Sequence, residues 1–154
     1  MVRREAIVEI ARWLRDERGY QLLVSLTAVD FLTAVPRFQV VYHLRALPAE
    51  VVAGEYRPDA AAPARLLRLK VPVDERDAVV PTLTGVYPTA NFHERETYDM
   101  FGIEFAGHPD LRRILMPDNY EGFPLRKDFP LIYEEVAFSF NEAEVHGQKP
   151  KATG

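Results

Sequence analysis

The sequence predicts an α+β fold of two layers, an antiparallel or mixed sheet with helices on one face, followed by an extended C-terminal segment. Three observations predict it. Residues 2–18 carry apolar side chains at helical spacing. Residues 37–45 and 64–71 alternate apolar and polar groups. From Ile103 to Pro130 the periodicity stops, with four prolines and two glycines in the run. The expected organisation is an α+β domain over 1–102 and a partner-binding segment with a tail over 103–154.

The elements follow in order. Ile7, Ile10, Ala11 and Leu14 share one helical face, and Gly19 supplies the left-handed stop. Residues 20–27, YQLLVSLT, suit a strand, and Asp30 to Pro36 a turn. Phe38, Val40, Tyr42 and Leu44 then oppose Gln39, His43 and Arg45, a half-buried strand. Residues 46–63 hold three prolines and six alanines with weak periodicity, which predicts a mobile loop. Leu67, Leu69 and Val71 alternate with Arg68 and Lys70, a further strand. A short helix is expected from Asp74, ahead of Val79 and Val80.

The next helix is the most heavily charged. Asn91 is placed to cap it, with Glu94 three residues on in capping-box spacing, and Gly102 ends it. Wound at about 100° per residue, Arg95, Glu96 and Asp99 share an arc with Phe92, while Tyr98 and Phe101 lie opposite. No clean apolar stripe emerges, so burial on several sides with paired charges is expected. Arg95 and Asp99 stand at the i, i+4 spacing of an ion pair. Glu94 and Glu96 need outside donors, for which Arg112 and Arg113 are nearest in sequence. Past Gly102, anchors occur singly (Phe105, Leu111, Ile114, Met116, Tyr120, Phe123, Leu125, Phe129). Such a segment is expected to lie over another surface, with its charges satisfied there, and to be cut first by proteases after about residue 103. The tail 141–154 is polar and expected to fray.

Composition narrows the function classes. With 154 residues and 47% hydrophobic content, the chain suits one globular domain. A net charge of −4 argues against nucleic acid. No apolar run approaches the roughly 18 residues of a membrane span. The opening Met-Val-Arg-Arg-Glu has no secretory or transit character, so the chain is expected to stay where it is made. There is no cysteine, hence no thiolate for an iron–sulfur cluster and no disulfide.

The tempting sites have simpler readings. His93, Glu94 and Glu96 do not converge on a helix, since Glu94 and Glu96 point about 160° apart, so a metal site is not expected. An acid/base pair among Glu94, Glu96 and Asp99 would sit beside arginines that keep them ionised. His108 before Pro109 suits a turn, with its ring bonded to backbone. Arg112 and Arg113 suit a phosphate or anionic lipid, but pairing with the preceding acids is the simpler reading. His43 belongs to a sheet face and His146 to the tail. Arg126, Lys127 and Asp128 form a plug of alternating charge between Pro124 and Pro130.

One run carries more than local structure. Glu94-Arg95-Glu96, Tyr98-Asp99-Met100-Phe101-Gly102-Ile103, Phe105, His108-Pro109, Leu111-Arg112-Arg113-Ile114-Leu115 and Pro117 closely resemble the diagnostic segment of the thirty-kilodalton subunit family of respiratory complex I, its C subunit. Phe123-Pro124-Leu125-Arg126-Lys127-Asp128-Phe129-Pro130 resembles the downstream segment of that family. The match is dense over 94–130 and looser before it. One departure is that Phe92 stands where the family usually has Trp.

The resemblance implies a structural and assembly subunit of the peripheral arm of proton-translocating NADH–quinone oxidoreductase. No cofactor is expected in this chain; NADH, FMN, iron–sulfur clusters and quinone would bind other subunits. The implied partners are the large quinone-site subunit, under the 103–130 segment, and neighbouring iron–sulfur subunits. The implied place is the cytoplasmic side of the bacterial inner membrane, held there by the complex. Two alternatives remain: the matching subunit of a membrane-bound hydrogenase, plastid-type quinone reductase or F420 dehydrogenase, or a stand-alone enzyme using the carboxylates near 94–99.

Overall fold

A computed structural model describes residues 1–48, 54 and 65–130. The loop expected at 46–63 lies almost wholly outside these residues, as do His146 and the tail.

A 3₁₀ turn, Arg4–Ala6, leads into helix α1, Ile7–Arg18, which ends at Gly19 with φ 74°. Strands β1 (Leu22–Asp30), β2 (Phe38–Ala46) and β3 (Arg65–Val73) form an antiparallel sheet in the order β1-β2-β3. A 3₁₀ turn, Glu75–Asp77, comes next, in place of the expected short helix. Asp74 still caps it, accepting from the Arg76 amide at 2.9 Å. Strand β4 (Val79–Pro81) pairs in parallel with β5 (Glu104–Ala106), and helix α2 (Ala90–Phe101) runs between them. This small second sheet was not legible in strands of three residues.

The inner face of the large sheet follows the alternation. Leu23 faces Leu44, Leu26 faces Tyr42 and Ala28 faces Val40; across β2, Phe38, Val40 and Tyr42 face Val73, Val71 and Leu69. These side chains are buried with Ile7, Ala11 and Leu14 of α1 and Ala90, Met100 and Phe101 of α2. Both helices therefore cover one face, where burial of aliphatic and aromatic groups stabilises the fold by ~1.5–3 kcal/mol per large side chain. On the outer face Arg45, Arg68 and Lys70 are exposed, while Val41 at its centre is buried and Gln39, His43 and Pro72 are half-buried.

Candidate functional site

Helix α2 spans 12 residues and starts earlier than expected. Its N-cap is Thr89, whose hydroxyl donates to the Leu23 carbonyl at 3.3 Å instead of capping. The expected capping box of Asn91 and Glu94 is not formed, because Glu94 turns inward. Gly102 does end the helix, with φ 70°. Its missing side chain has a second use. A Cβ there would lie 2.5 Å from the Phe123 ring and 2.8 Å from an Arg126 nitrogen. The helix end thus forms the floor on which the downstream segment rests.

That segment is fastened by carboxylates. Asp99 is fully buried, and its Oδ2 accepts the successive amides of Ile114, Leu115 and Met116 at 3.1, 2.7 and 2.9 Å. Arg113 meets Oδ1 at 2.6 Å and donates also to the carbonyls of Asp99, Tyr120 and Gly122. Burial opposes ionisation of Asp99, yet the Met116 amide, Arg113 and the neighbouring amides together hold it below its ordinary value. The expected Arg95–Asp99 pair is absent. Arg95 instead donates to the carbonyls of Arg112 and Arg113, and Arg112 pairs with Asp110 at 2.9 Å.

A second lock joins the segment to the sheet. Arg37 and Asp30 are both buried and meet through two bonds of 3.0 and 2.8 Å. Arg37 also reaches Asp128 at 2.9 and 2.6 Å and Glu75 at 2.5 Å. The Lys127 amide donates to Asp30 at 2.9 Å, and Leu32 does so at 2.7 Å. Arg37 holds Asp30 well below the usual carboxylate range against its burial, with both amides assisting. It lowers Asp128 likewise, and the two acids raise Arg37 in turn. Arg126 donates to the Phe101 carbonyl at 2.6 Å, with its guanidinium 5.1 Å from the Phe38 ring centroid and 4.7 Å from that of Phe123. Tyr98 meets Phe123 edge-on at 6.4 Å between ring centroids. Contrary to expectation, these acids and bases of residues 94–128 find partners within the chain.

Glu94 differs from the other acids. Fully buried, it accepts from the Leu83 amide at 2.6 Å and from the Thr82 hydroxyl, with no cation bonded to it among the described residues. Burial pushes its carboxyl up to about 7 despite those two donors. The Tyr42 hydroxyl shares this interior and has no hydrogen-bond partner among the described residues; burial and the nearby Glu94 raise it above its ordinary value. The expected pairing of Glu94 with Arg112 or Arg113 therefore does not occur, and Glu96 lies exposed on the helix surface.

The remaining residues of interest fall into place around this framework. The His108 ring lies 3.2 Å from the Asn91 carbonyl through Nε2, and its Nδ1 accepts from the Asp110 amide at 3.0 Å. Pro109, Pro117 and Leu125 lie exposed and Pro124 is half-buried along the segment. The Leu125 amide donates to the Met100 carbonyl at 3.1 Å. Phe92, at the position where the family usually has Trp, is 63% exposed on α2. Sequence reasoning missed Asp30, Arg37, Glu75, Thr82 and Tyr42. For the first two a signal existed: an acid and a base flanking one hairpin turn, seven residues apart.

Chemically, this arrangement binds and positions. The three carboxylates weighed above as an acid/base site are separated: Glu94 inside the core, Asp99 under the 113–116 loop, Glu96 exposed on the helix surface. Among the described residues no group of three or more His, Cys, Asp or Glu converges as metal ligands would. None of their helices is long and apolar enough to cross a membrane.

Comparison with known proteins gives the site its context. The family model described as "Respiratory-chain NADH dehydrogenase, 30 Kd subunit" matches residues 1–135. The NADH-quinone oxidoreductase C subunit of Roseiflexus castenholzii is 52% identical over 153 residues, covering 98% of this chain and 80% of the relative. The same subunit of Herpetosiphon aurantiacus is 46% identical over 98% of this chain and 81% of its own. Among solved structures, a trypsin-resistant fragment (1–134) of Nqo5 superposes with a TM-score of 0.59 at 35% identity, covering 71% of this chain and 79% of the fragment. A chain of the membrane-bound sulfane sulfur reductase, an archaeal respiratory membrane complex, superposes with a TM-score of 0.68 at 25% identity, covering 88% of this chain and 76% of that one.

Proposed function

This chain belongs to the family of the 30 kDa subunit of the respiratory-chain NADH dehydrogenase, and from that membership we propose how it serves the complex. It is a peripheral-arm subunit of NADH–quinone oxidoreductase, in which other subunits of the complex are its partners. Its role is to hold shape. The observation that carries this reading is the use of Asp30, Asp99, Asp128, Arg37 and Arg113 as internal fasteners of residues 113–128. Groups so engaged orient a backbone; they are not free to exchange protons with a substrate.

The finer assignment follows from the family resemblance of residues 94–130. The large quinone-site subunit is the proposed partner of residues 103–130 and of the tail beyond them, with iron–sulfur subunits as neighbours. The surface it meets is the outward side of the segment, where Pro117, Leu115 and Leu125 are exposed. NADH, FMN, iron–sulfur clusters and quinone are assigned to other subunits, and the absence of cysteine supports this for the clusters. The proposed location is the cytoplasmic side of the bacterial inner membrane, through the complex. Like the Nqo5 fragment, the chain is expected to yield a trypsin-resistant core that keeps the fastened segment.

An affinity-tagged chain recovered from detergent-solubilised membranes tests the reading. NADH-driven quinone reduction and iron–sulfur subunits should accompany it, and the purified chain alone should turn nothing over. Recovery free of any iron–sulfur or quinone-site subunit overturns it. The likeness to the sulfane sulfur reductase supports a second reading, the equivalent subunit of a related membrane complex. Co-purified subunits of that kind, without NADH oxidation, would select it.

A further inference from the structure

The outer face of the large sheet has a charge character unlike the rest of the chain. Its four cross-strand rows are Leu22–Arg45–Leu66, Ser25–His43–Arg68, Thr27–Val41–Lys70 and Val29–Gln39–Pro72. They hold three cations, one histidine and no acid, in a chain of net charge −4. Arg45, Arg68 and Lys70 are exposed. Among the described residues, no carboxylate forms a salt bridge with any of the three. Exposed aliphatic groups lie between and beside them: Leu66 at 63%, Val24 at 45% and Val29 at 40%.

Arg68 is held in one direction. Its Nε donates to His43 Nε2 at 2.7 Å, and His43 Nδ1 lies 2.9 Å from the Ser25 hydroxyl. Because arginine only donates, this geometry makes Nε2 the acceptor and Nδ1 the protonated nitrogen. A row of hydrogen bonds across three strands therefore anchors the guanidinium through Nε, and Arg68 remains exposed. A fixed guanidinium of this kind matches a carboxylate.

We propose that this basic face is a second docking surface, which receives an acidic and partly aliphatic surface of another subunit of the same complex. The proposal rests on the subunit reading above. It concerns the sheet face opposite α2, and so a contact separate from that of the 103–130 segment. The alternatives fit the face less well. Anionic lipid is gathered by clusters of about four to eight basic residues, and this face has three cations in an acidic chain. A second copy would bring the same cations against one another across a symmetric interface.

The test replaces Arg45, Arg68 and Lys70 together by Glu in the tagged chain, expressed in cells that assemble the complex. Circular dichroism and a thermal melt of each purified chain check that the fold survives. A milder variant, Arg45→Gln with Lys70→Gln, leaves the Arg68–His43 bond intact and serves if the triple variant does not fold. Like charges placed face to face at an interface repel, so the triple variant should be recovered in the complex about tenfold less than the unaltered chain, or lower still. The milder variant should show a smaller loss that deepens with added salt. Equal recovery of altered and unaltered chains with companion subunits overturns this inference alone. Recovery of the unaltered chain with no companions overturns the subunit reading and this inference with it. Binding of the free chain to phosphatidylglycerol vesicles, or its dimerisation, if abolished by the triple variant, also overturns it by assigning the face to another occupant.

Discussion

At Glu94, burial and hydrogen bonding pull in opposite directions, and burial wins. Its carboxyl is raised from 4.5 to about 7. The folded chain therefore keeps a proton that the unfolded chain releases near pH 4.5. That contribution to stability is complete below the unfolded value and is lost as pH rises through about 7. At roughly 1.4 kcal/mol per unit, the loss is on the order of 3 kcal/mol. Glu94→Gln keeps the shape and removes the proton. Urea denaturation at pH 5 and pH 8 should show wild type weaker at pH 8, and the Gln variant with most of that difference gone. Asp30, Asp99 and Asp128 have the opposite sign: their lowered values give stability that is present above about pH 4 and lost on acidification. Asp99→Ala would leave the Arg113 charge and three amides unanswered, a cost of about 3–5 kcal/mol readable from the same denaturation curves. The charges themselves were legible in the sequence, and their partners were not. Arg95 and Asp99 stand at ideal helical spacing, yet Asp99 takes a residue 14 positions away because three amides converge there too. A local pair cannot compete with four donors assembled by the fold.

The helices and long strands were legible because periodicity and stop signals agree. Gly19 and Gly102 end their helices as left-handed residues, and the alternation in β2 and β3 matches the buried face. Short elements were not: β4 and β5 have three residues each and depend on one another for pairing. Gly102 shows the limit within a single residue. Its role as a helix stop is local, but its role as a floor depends on Phe123, 21 residues on. Gly102→Ala combines a positive φ of 70° with a 2.5 Å clash, so it should destabilise the chain by more than the ~1 kcal/mol that a left-handed alanine alone costs. Thermal denaturation checks this, and loss of protection in residues 120–129 by amide exchange should accompany it. The segment after residue 103 reads as unfastened in sequence because its anchors are single and its fasteners sit elsewhere. Asp30→Asn should weaken the lock on Lys127 and Arg37. Trypsin should then cut at Arg126 and Lys127 several times faster than in wild type, a difference visible by mass spectrometry of timed digests. Equal rates would show that the lock does not hold the segment.

For the molecule as a whole, the α+β class and the layering of helices on one sheet face came from patterning alone, since one buried face per element permits few arrangements. The family also showed, through residues 94–130, because that run joins helix end, cradle and lock into one unit. Which outside surfaces the chain meets was less legible, since the outer sheet face looks like ordinary alternation until the three strands are in register. The lock also sets an order in time. Asp30 and Arg37 leave the ribosome well before their closing contacts, which come 97 residues later for Lys127 and 91 for Asp128. A growing polypeptide can assemble its sheet with Arg37 resting on Asp30 alone, but the seam stays open until translation passes the late codons. Messages truncated just upstream of them should yield a product that quality-control proteases recognise as unfinished.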